Sequence, residues 1–340
     1  VTPCFLIAEA GVNHNGSLEH ALRLVDTAAA AGADAVKFQT FSADRLVTRG
    51  AATAAYQQER TGAADQYSML RALELSVDDH RRLADRCAAK RIEFLSTPFD
   101  EEAADFLVSL GCRRMKIPSG EITNLPFLRH VAAKRLPVIL STGMSDLEDV
   151  RVAVDALAGA SGGSLPDSAL VLLHCTSSYP APLAEVNLRA MRTLADAFHR
   201  PVGYSDHTPG LVVAPLARAL GAVIIEKHFT LDRSLPGPDH AASLEPSELN
   251  EWVRRIREVD VVLGSPEKKP TEAELVMRRA ARRSLVLAVD IPSGRPLARE
   301  HLAIRRPGTG LAPAALEATL GRRLKRDGKA GDVLRSEDLI

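Results

Sequence analysis

Eight apolar, β-rich runs, each followed by an amphipathic stretch of helical period, predict a (β/α)8 barrel over roughly the first 260 residues. After Leu263 that alternation stops, and the β-like text resuming at Arg283 predicts a second, smaller β-rich domain. Strands alternating with helices imply parallel pairing through right-handed crossovers. The alternative is a doubly wound open sheet. Such a sheet usually carries a glycine-rich GxGxxG turn after its first strand, and EAGVNHNGS does not fit that pattern.

The elements follow in order. FLIAE ends at Glu9, and a helical pattern covers Leu18–Ala31. ADAVKF ends near Phe38, then a polar excursion leads to a helix over Val77–Lys90. IEFLS ends at Ser96 before the helical EEAADFLVSL; RRMKIP ends at Pro118 before LPFLRHVAAK. PVILS ends at Ser141 before DLEDVRVAVDALA, and ALVLLHC ends at Cys175 before LRAMRTLADAF. PVGYS ends at Ser205 before LVVAPLARAL, and AVIIEKHF ends at Phe229 before a last helix over Pro246–Leu263. The expected barrel therefore spans 1–264, a linker 265–282 and the small domain 283–340. Thr271 and Glu274 have capping-box spacing, so the linker should carry a short helix. Within the small domain, GRPLAREHL and GDVLRSEDL share G-x-x-L-x-x-E-x-L, which predicts a pseudo-symmetric pair of half-motifs.

The 340 residues include 43 basic and 43 acidic side chains. That balance gives no support for nucleic acid or an anionic membrane as partner. The apolar runs fall short of a membrane helix. The opening VTPCFLIAEAG shows no basic n-region, and the four cysteines form no CxxC pair. Together these predict a cytoplasmic protein with neither disulfides nor a thiolate zinc site.

Side chains at the C-terminal ends of barrel strands converge on one site. Those ends supply Glu9, Lys37, Gln39, Ser96, Thr97, Lys116, Ser119, Ser141, Thr142, His174, Thr176, Ser177, Ser205, Asp206, His207 and His228. Two lysines facing one cavity repel unless an anion lies between them. With Thr97 and Ser119 nearby, Lys37 and Lys116 suggest a phosphate cradle. A Schiff-base lysine, which needs a depressed pKa and an apolar pocket, is the rival reading. His207, in GYSDHT, and His228 end neighbouring strands and could share one cation. Such a site suits Mn²⁺, Co²⁺, Zn²⁺ or Mg²⁺, with substrate oxygens and water filling the remaining positions. Asp206 reads as a ligand, a supporting partner or a turn residue. His174 reads as a buried, hydrogen-bonded residue, and His14 as a turn residue or part of the mouth. The basic RRAARR stretch reads as solvated helix charge.

IAEAGVNHNGS, GADAVKFQT, FLSTPFD, KIPSGEITN, PVILSTGMS, LLHCTSSYP, GYSDHT, EKHFT and PGPDHAASLEP, in this order, resemble the sialic acid synthase family. The tail RRSLVLAVDIPSG…LAIRRPGTGLAP resembles the SAF, or antifreeze-like, domain of those synthases. The resemblance implies a metal-dependent condensation of phosphoenolpyruvate with a 2-acetamido sugar aldehyde, giving a nine-carbon 2-keto acid and phosphate. It implies Mn²⁺, with Mg²⁺ or Co²⁺ as alternatives, on His207 and His228. It places phosphoenolpyruvate on Lys37, Thr97, Lys116, Ser119, Ser177 and Ser205, and the sugar on Glu9, Gln39, Tyr179, Asp239 and Arg306. Glu9, Lys37, Lys116, His207 and His228 are the implied catalytic set, with Glu9 moving a proton or positioning water. Ser177 stands where family members often have Asn. The implied assembly is a homodimer whose SAF tail, carrying Arg306, closes the partner's barrel mouth. The sugar stays open among N-acetylmannosamine and the diacetamido precursors of legionaminic and pseudaminic acids, with the resemblance favouring the sialic or legionaminic branch. A Schiff-base sugar-acid aldolase and a catalytically dead sugar- or ice-binding chain are the competing classes.

Overall fold

The computed structural model describes residues 3–53, 58, 60–160 and 169–340. They form two compact units, Val1–Gly264 and Ser265–Ile340. The first holds β1 (Phe5–Gly11), α1 (Leu18–Ala31), β2 (Ala35–Thr40), α2 (Ala43–Leu46), α3 (Gln66–Leu73), α4 (Val77–Lys90), β3 (Glu93–Pro98) and α5 (Glu101–Ser109). It continues with β4 (Met115–Ile117), α6 (Leu125–Ala133), β5 (Val138–Ser141), α7 (Leu147–Ala160), β6 (Leu170–Cys175) and α8 (Ala190–Phe198). It ends with β7 (Val202–Asp206), α9 (Val213–Ala219), β8 (Ile224–His228) and α10 (Pro246–Leu263).

The eight strands run in the order β3-β2-β1-β8-β7-β6-β5-β4, with parallel pairing along the ladder. β1 joins β8, and β3 lies beside β4, so the sheet curls into the expected barrel. The expected helices Leu18–Ala31, Val77–Lys90 and Pro246–Leu263 keep their bounds. The polar excursion differs from expectation: it contains α2 and α3. These are short, and only their packing onto the barrel makes them stable helices.

One alternation positions the site. Ile7, Ala35, Leu95, Ile139, Leu173 and Ile224 form a single apolar cluster, separate from the one between strands and helices. Strand side chains alternate faces, so two residues further along, the same inner face presents Glu9, Lys37, Thr97, Ser141, Cys175 and Glu226. A polar layer thus rests on an apolar floor. Gly203 of β7 belongs to that floor by necessity. A Cβ there would meet the Ile224 carbonyl oxygen at 2.4 Å and Leu173 Cδ2 at 2.5 Å. Gly203→Ala is therefore expected to lose about 1–3 kcal/mol of stability; an unchanged urea midpoint would contradict this packing.

The second unit holds α11 (Glu272–Ala281), β9 (Ser284–Leu287), β10 (Leu302–Arg305) and α12 (Leu316–Thr319), with β9 and β10 antiparallel. Thr271 and Glu274 form both bonds of the capping box at α11. The stretch 265–282, expected as a linker, falls within this unit: the Arg279 carbonyl accepts from the Gly308 N–H at 2.8 Å. The two half-motifs have matching geometry. Gly294 and Gly331 take φ of 77° and 98°, and each motif ends in a single-turn helix, Arg299–His301 or Ser336–Asp338. Leu297, Leu302, Leu334 and Leu339 enter one common core.

Candidate active site

The polar layer opens into a cavity of about 840 Å³. β1 and β2 bring Glu9, Lys37 and Gln39 to it; β3 and β4 bring Thr97 and Lys116. Ser119, Ser177 and Tyr179 reach it from loops, and Ser205, His207 and His228 from the ends of β7 and β8. Of the barrel residues expected to hold substrate or metal, all line this cavity except Asp239, whose Oδ2 lies 3.8 Å from His228 Nδ1. Arg306 belongs to the second unit, where it is exposed.

Several strand-end groups point elsewhere. His174, half-buried rather than buried, bonds the Val186 carbonyl through Nε2 at 2.7 Å, the structural hydrogen bond expected of it. The Thr142 and Thr176 hydroxyls donate to the carbonyls of Leu173 and Glu185, and Ser96 bonds Thr40. His14 accepts from the Gly16 N–H, a turn contact. Asp206 also turns away: its Oδ2 pairs with buried Lys227 at 2.8 Å, and its Oδ1 accepts from the Thr208 N–H and hydroxyl. That makes Asp206 a turn residue.

Glu226 is the residue that sequence reasoning missed. The anion between the two lysines is already part of the chain. Glu226 Oε2 lies 3.7 Å from Lys37 Nζ, and its Oε1 lies 3.3 Å from Lys116 Nζ. Ser205 Oγ donates to Oε1 at 3.0 Å. The signal was available: counting by two from inward Ile224 reaches Glu226 and then His228. On the other side of Lys37, Glu9 Oε2 lies at 2.6 Å and Thr97 Oγ1 accepts at 3.0 Å.

These charges share a buried layer. Burial opposes the charge on Glu226, but Lys116 and Lys37 win and hold it well below the usual carboxylate range. Burial pushes Glu9 up to about 7, against the pull of Lys37. Lys37 stays above the ordinary lysine range despite burial, because Glu226 and Glu9 flank it. The rises at Glu9 and Lys37 pull this pair in opposite directions. Geometry decides between them: Glu226 has two ammonium partners and Glu9 has one at close range, so Glu9 takes a proton first. Burial pushes Lys116 below its ordinary range, with Glu226 opposing.

The two imidazoles face each other, ring centres 5.6 Å apart, with Tyr179 against both. His207 Nδ1 lies 2.7 Å from the Thr176 carbonyl, to which it donates. That bond leaves Nε2 as the lone-pair nitrogen, the usual arrangement behind a metal ligand. His228 Nδ1 is buried without a hydrogen-bond partner. Burial lowers the pKa of both rings and favours the neutral imidazole. Among the described residues no group of three His, Cys, Asp or Glu side chains is placed to hold a metal. The two imidazoles could hold an ion only if it takes two protein nitrogens and completes its shell with oxygens from substrate or water.

Residues 24–268 match the NeuB family model. The chain belongs to the NeuB family. Residues 282–340 of this NeuB-family chain match the SAF domain. The chain is 54% identical to an N,N'-diacetyllegionaminic acid synthase of Legionella pneumophila, over 97% of this chain and 93% of that one. A Campylobacter jejuni enzyme of the same name is 44% identical, over 97% and 98%. The crystal structure of an N-acetylneuraminic acid (sialic acid) synthetase from Leptospira borgpetersenii superposes with a TM-score of 0.70 at 36% identity, covering 81% of this chain and 90% of that one. The barrel and tail expected of a NeuB-family protein are thus both present.

Proposed function

We propose that this chain condenses phosphoenolpyruvate with an acetamido sugar aldehyde, releasing phosphate and a nine-carbon 2-keto sugar acid of the legionaminic type. The observation that carries this reading is a charged strand-end cavity in a chain 54% identical, over nearly its whole length, to a diacetyllegionaminic acid synthase. Lys37 and Lys116 lie among hydroxyls and the carboxylates of Glu9 and Glu226 rather than in an apolar pocket. That suits a phosphate better than a Schiff base, although burial lowers the Lys116 pKa as a Schiff base would require.

Lys37 and Lys116, with Thr97, Ser119, Ser177 and Ser205, hold phosphoenolpyruvate. Ser141 Oγ, buried beside them without a hydrogen-bond partner, offers another hydroxyl. Gln39, Tyr179 and Asp239 hold the sugar. A divalent ion on His207 and His228, Mn²⁺ first and Mg²⁺ or Co²⁺ next, would polarise the aldehyde oxygen. C3 of phosphoenolpyruvate then bonds to the aldehyde carbon, whose oxygen gains a proton. Water adds at C2, and the C2–O bond to phosphate breaks as the ketone forms. Holding both reactants on one rigid layer supplies the orientation. Glu9, pushed up to about 7, is suited to move the proton near neutral pH. The test is phosphate release from phosphoenolpyruvate with N-acetylmannosamine and the two diacetamido precursors, each with Mn²⁺, Mg²⁺ and Co²⁺. Release without any sugar acid, or borohydride trapping of Lys37 or Lys116, would overturn it.

We further propose a homodimer in which the tail of each copy serves the partner's barrel through Arg306. Charge supports this. Residues 265–340 carry 16 Lys and Arg against 10 Asp and Glu, whereas residues 1–264 carry 27 against 33. A basic tail and an acidic barrel attract between copies. His207→Ala and Arg306→Ala, each impaired alone, are expected to regain activity when mixed and allowed to exchange subunits. One barrel in the mixed dimer then has both parts intact; no recovery despite proven exchange would refute the arrangement.

A further inference from the structure

Helix α3 packs Met69, Leu70 and Leu73 against Val12, Phe41 and Phe99. On a helix, position 66 shares that face with positions 69, 70 and 73. It is glutamine, and it opens into the charged cavity. Its N–H donates to the Ala51 carbonyl at 2.9 Å, which ties the start of α3 to the segment carrying Ala52. Gln66, Ala52 and Phe99 all line the cavity. Among the described residues the Gln66 carboxamide makes no hydrogen bond, although the residue is half-buried. Open to the cavity and uncommitted among the described residues, this amide is available to a ligand bound there.

We propose that Gln66 is a specificity residue that reads the acylamino group remote from the aldehyde in a diacetamido sugar; this rests on the condensation proposed above. The reacting groups are strand-borne, so the aldehyde lies by the barrel strands. The far end of the sugar then points toward residues outside the eight barrel units, and α3 is such an element. An acetamido group presents an N–H, a carbonyl and a methyl. The wall presents a carboxamide, which both donates and accepts, beside the Ala52 methyl and the Phe99 ring. A hydroxyl at the same place is too short to pair with both ends of the amide and leaves the apolar pair unfilled.

The experiment compares kcat and KM for a 2,4-diacetamido sugar and for N-acetylmannosamine in the full-length enzyme and in Gln66→Leu. The wild type is expected to favour the diacetamido sugar. Gln66→Leu should lower kcat/KM for that sugar about tenfold or more, through KM, and leave N-acetylmannosamine within about threefold. The KM for phosphoenolpyruvate should not move. Gln66→Met, unbranched and helix-compatible, serves if the leucine variant does not fold. Equal losses on both sugars, or no loss on either, would overturn the role of Gln66. A wild type that releases no phosphate with any acetamido sugar would instead overturn the parent reading.

Discussion

Replacing His207 with alanine is expected to cut divalent-ion-dependent turnover by about a thousandfold or more, because a Lewis acid contributes several kcal/mol to such a step. The structure makes the loss specific. His207 Nδ1 is committed to the Thr176 carbonyl, so Nε2 is the nitrogen left for an ion. His228 stands 5.6 Å away, ring centre to ring centre, with its Nδ1 unbonded in a buried site. His228→Ala should lose as much, and the double variant little more, since two ligands of one ion act as a unit. Titration of Mn²⁺ followed by electron paramagnetic resonance separates binding from chemistry. The single variants should show weakened binding with the fold intact by circular dichroism. Turnover near the wild-type level in His207→Ala would refute the assignment.

The second large effect is expected at Glu226, and it is one of stability. Glu226→Gln removes the carboxylate shared by two buried lysines and leaves them facing each other. Breaking a buried ion pair from one side costs roughly 3–5 kcal/mol. Lys116, already below the ordinary lysine range, can shed its proton and hold the loss near the lower end. Inorganic phosphate should restore part of it, so the added anion should raise the melting temperature of the variant more than that of the wild type. The pH dependence has a definite sign. The folded-state pKa of Glu226 lies below its ordinary 4.5. Its contribution is therefore present above that value and fades as pH falls below it. The variant should lack that part of the acid sensitivity. Equal melting temperatures and equal phosphate shifts would show that the carboxylate does not neutralise the lysines.

The architecture was largely legible because its signals are local. Each strand carries its own apolar run, and each long helix its own periodic face and caps. Ser17, Ser76 and Asp100 accept from backbone N–H groups at the starts of α1, α4 and α5, and each can be read within four residues. Helix α3 escaped notice because eight residues with one short apolar face, Met69, Leu70 and Leu73, look like loop until Phe41 and Phe99 are brought against them.

At the site, residue types and strand ends pointed to Glu9, the lysines and the histidine pair without any structure. Side-chain direction was also written there: Leu173 and Cys175 face inward, so His174 and Thr176 face out. Partnership was not. Glu226 sits next to Lys227 in the chain yet serves Lys37 and Lys116, while Lys227 pairs with Asp206. The Glu226 pairings join residues 110 and 189 positions apart and exist only because β1 meets β8 and β4 lies across the barrel, while Asp206 and Lys227 meet as neighbours on β7 and β8. The amino-acid sequence by itself determined the eight-unit barrel, the tail and the chemical types at the strand ends, because propensity and alternation are short-range. Which charge neutralises which, and that the glutamine of α3 opens into the cavity, only the tertiary structure decided, because barrel closure brings together groups far apart in the chain.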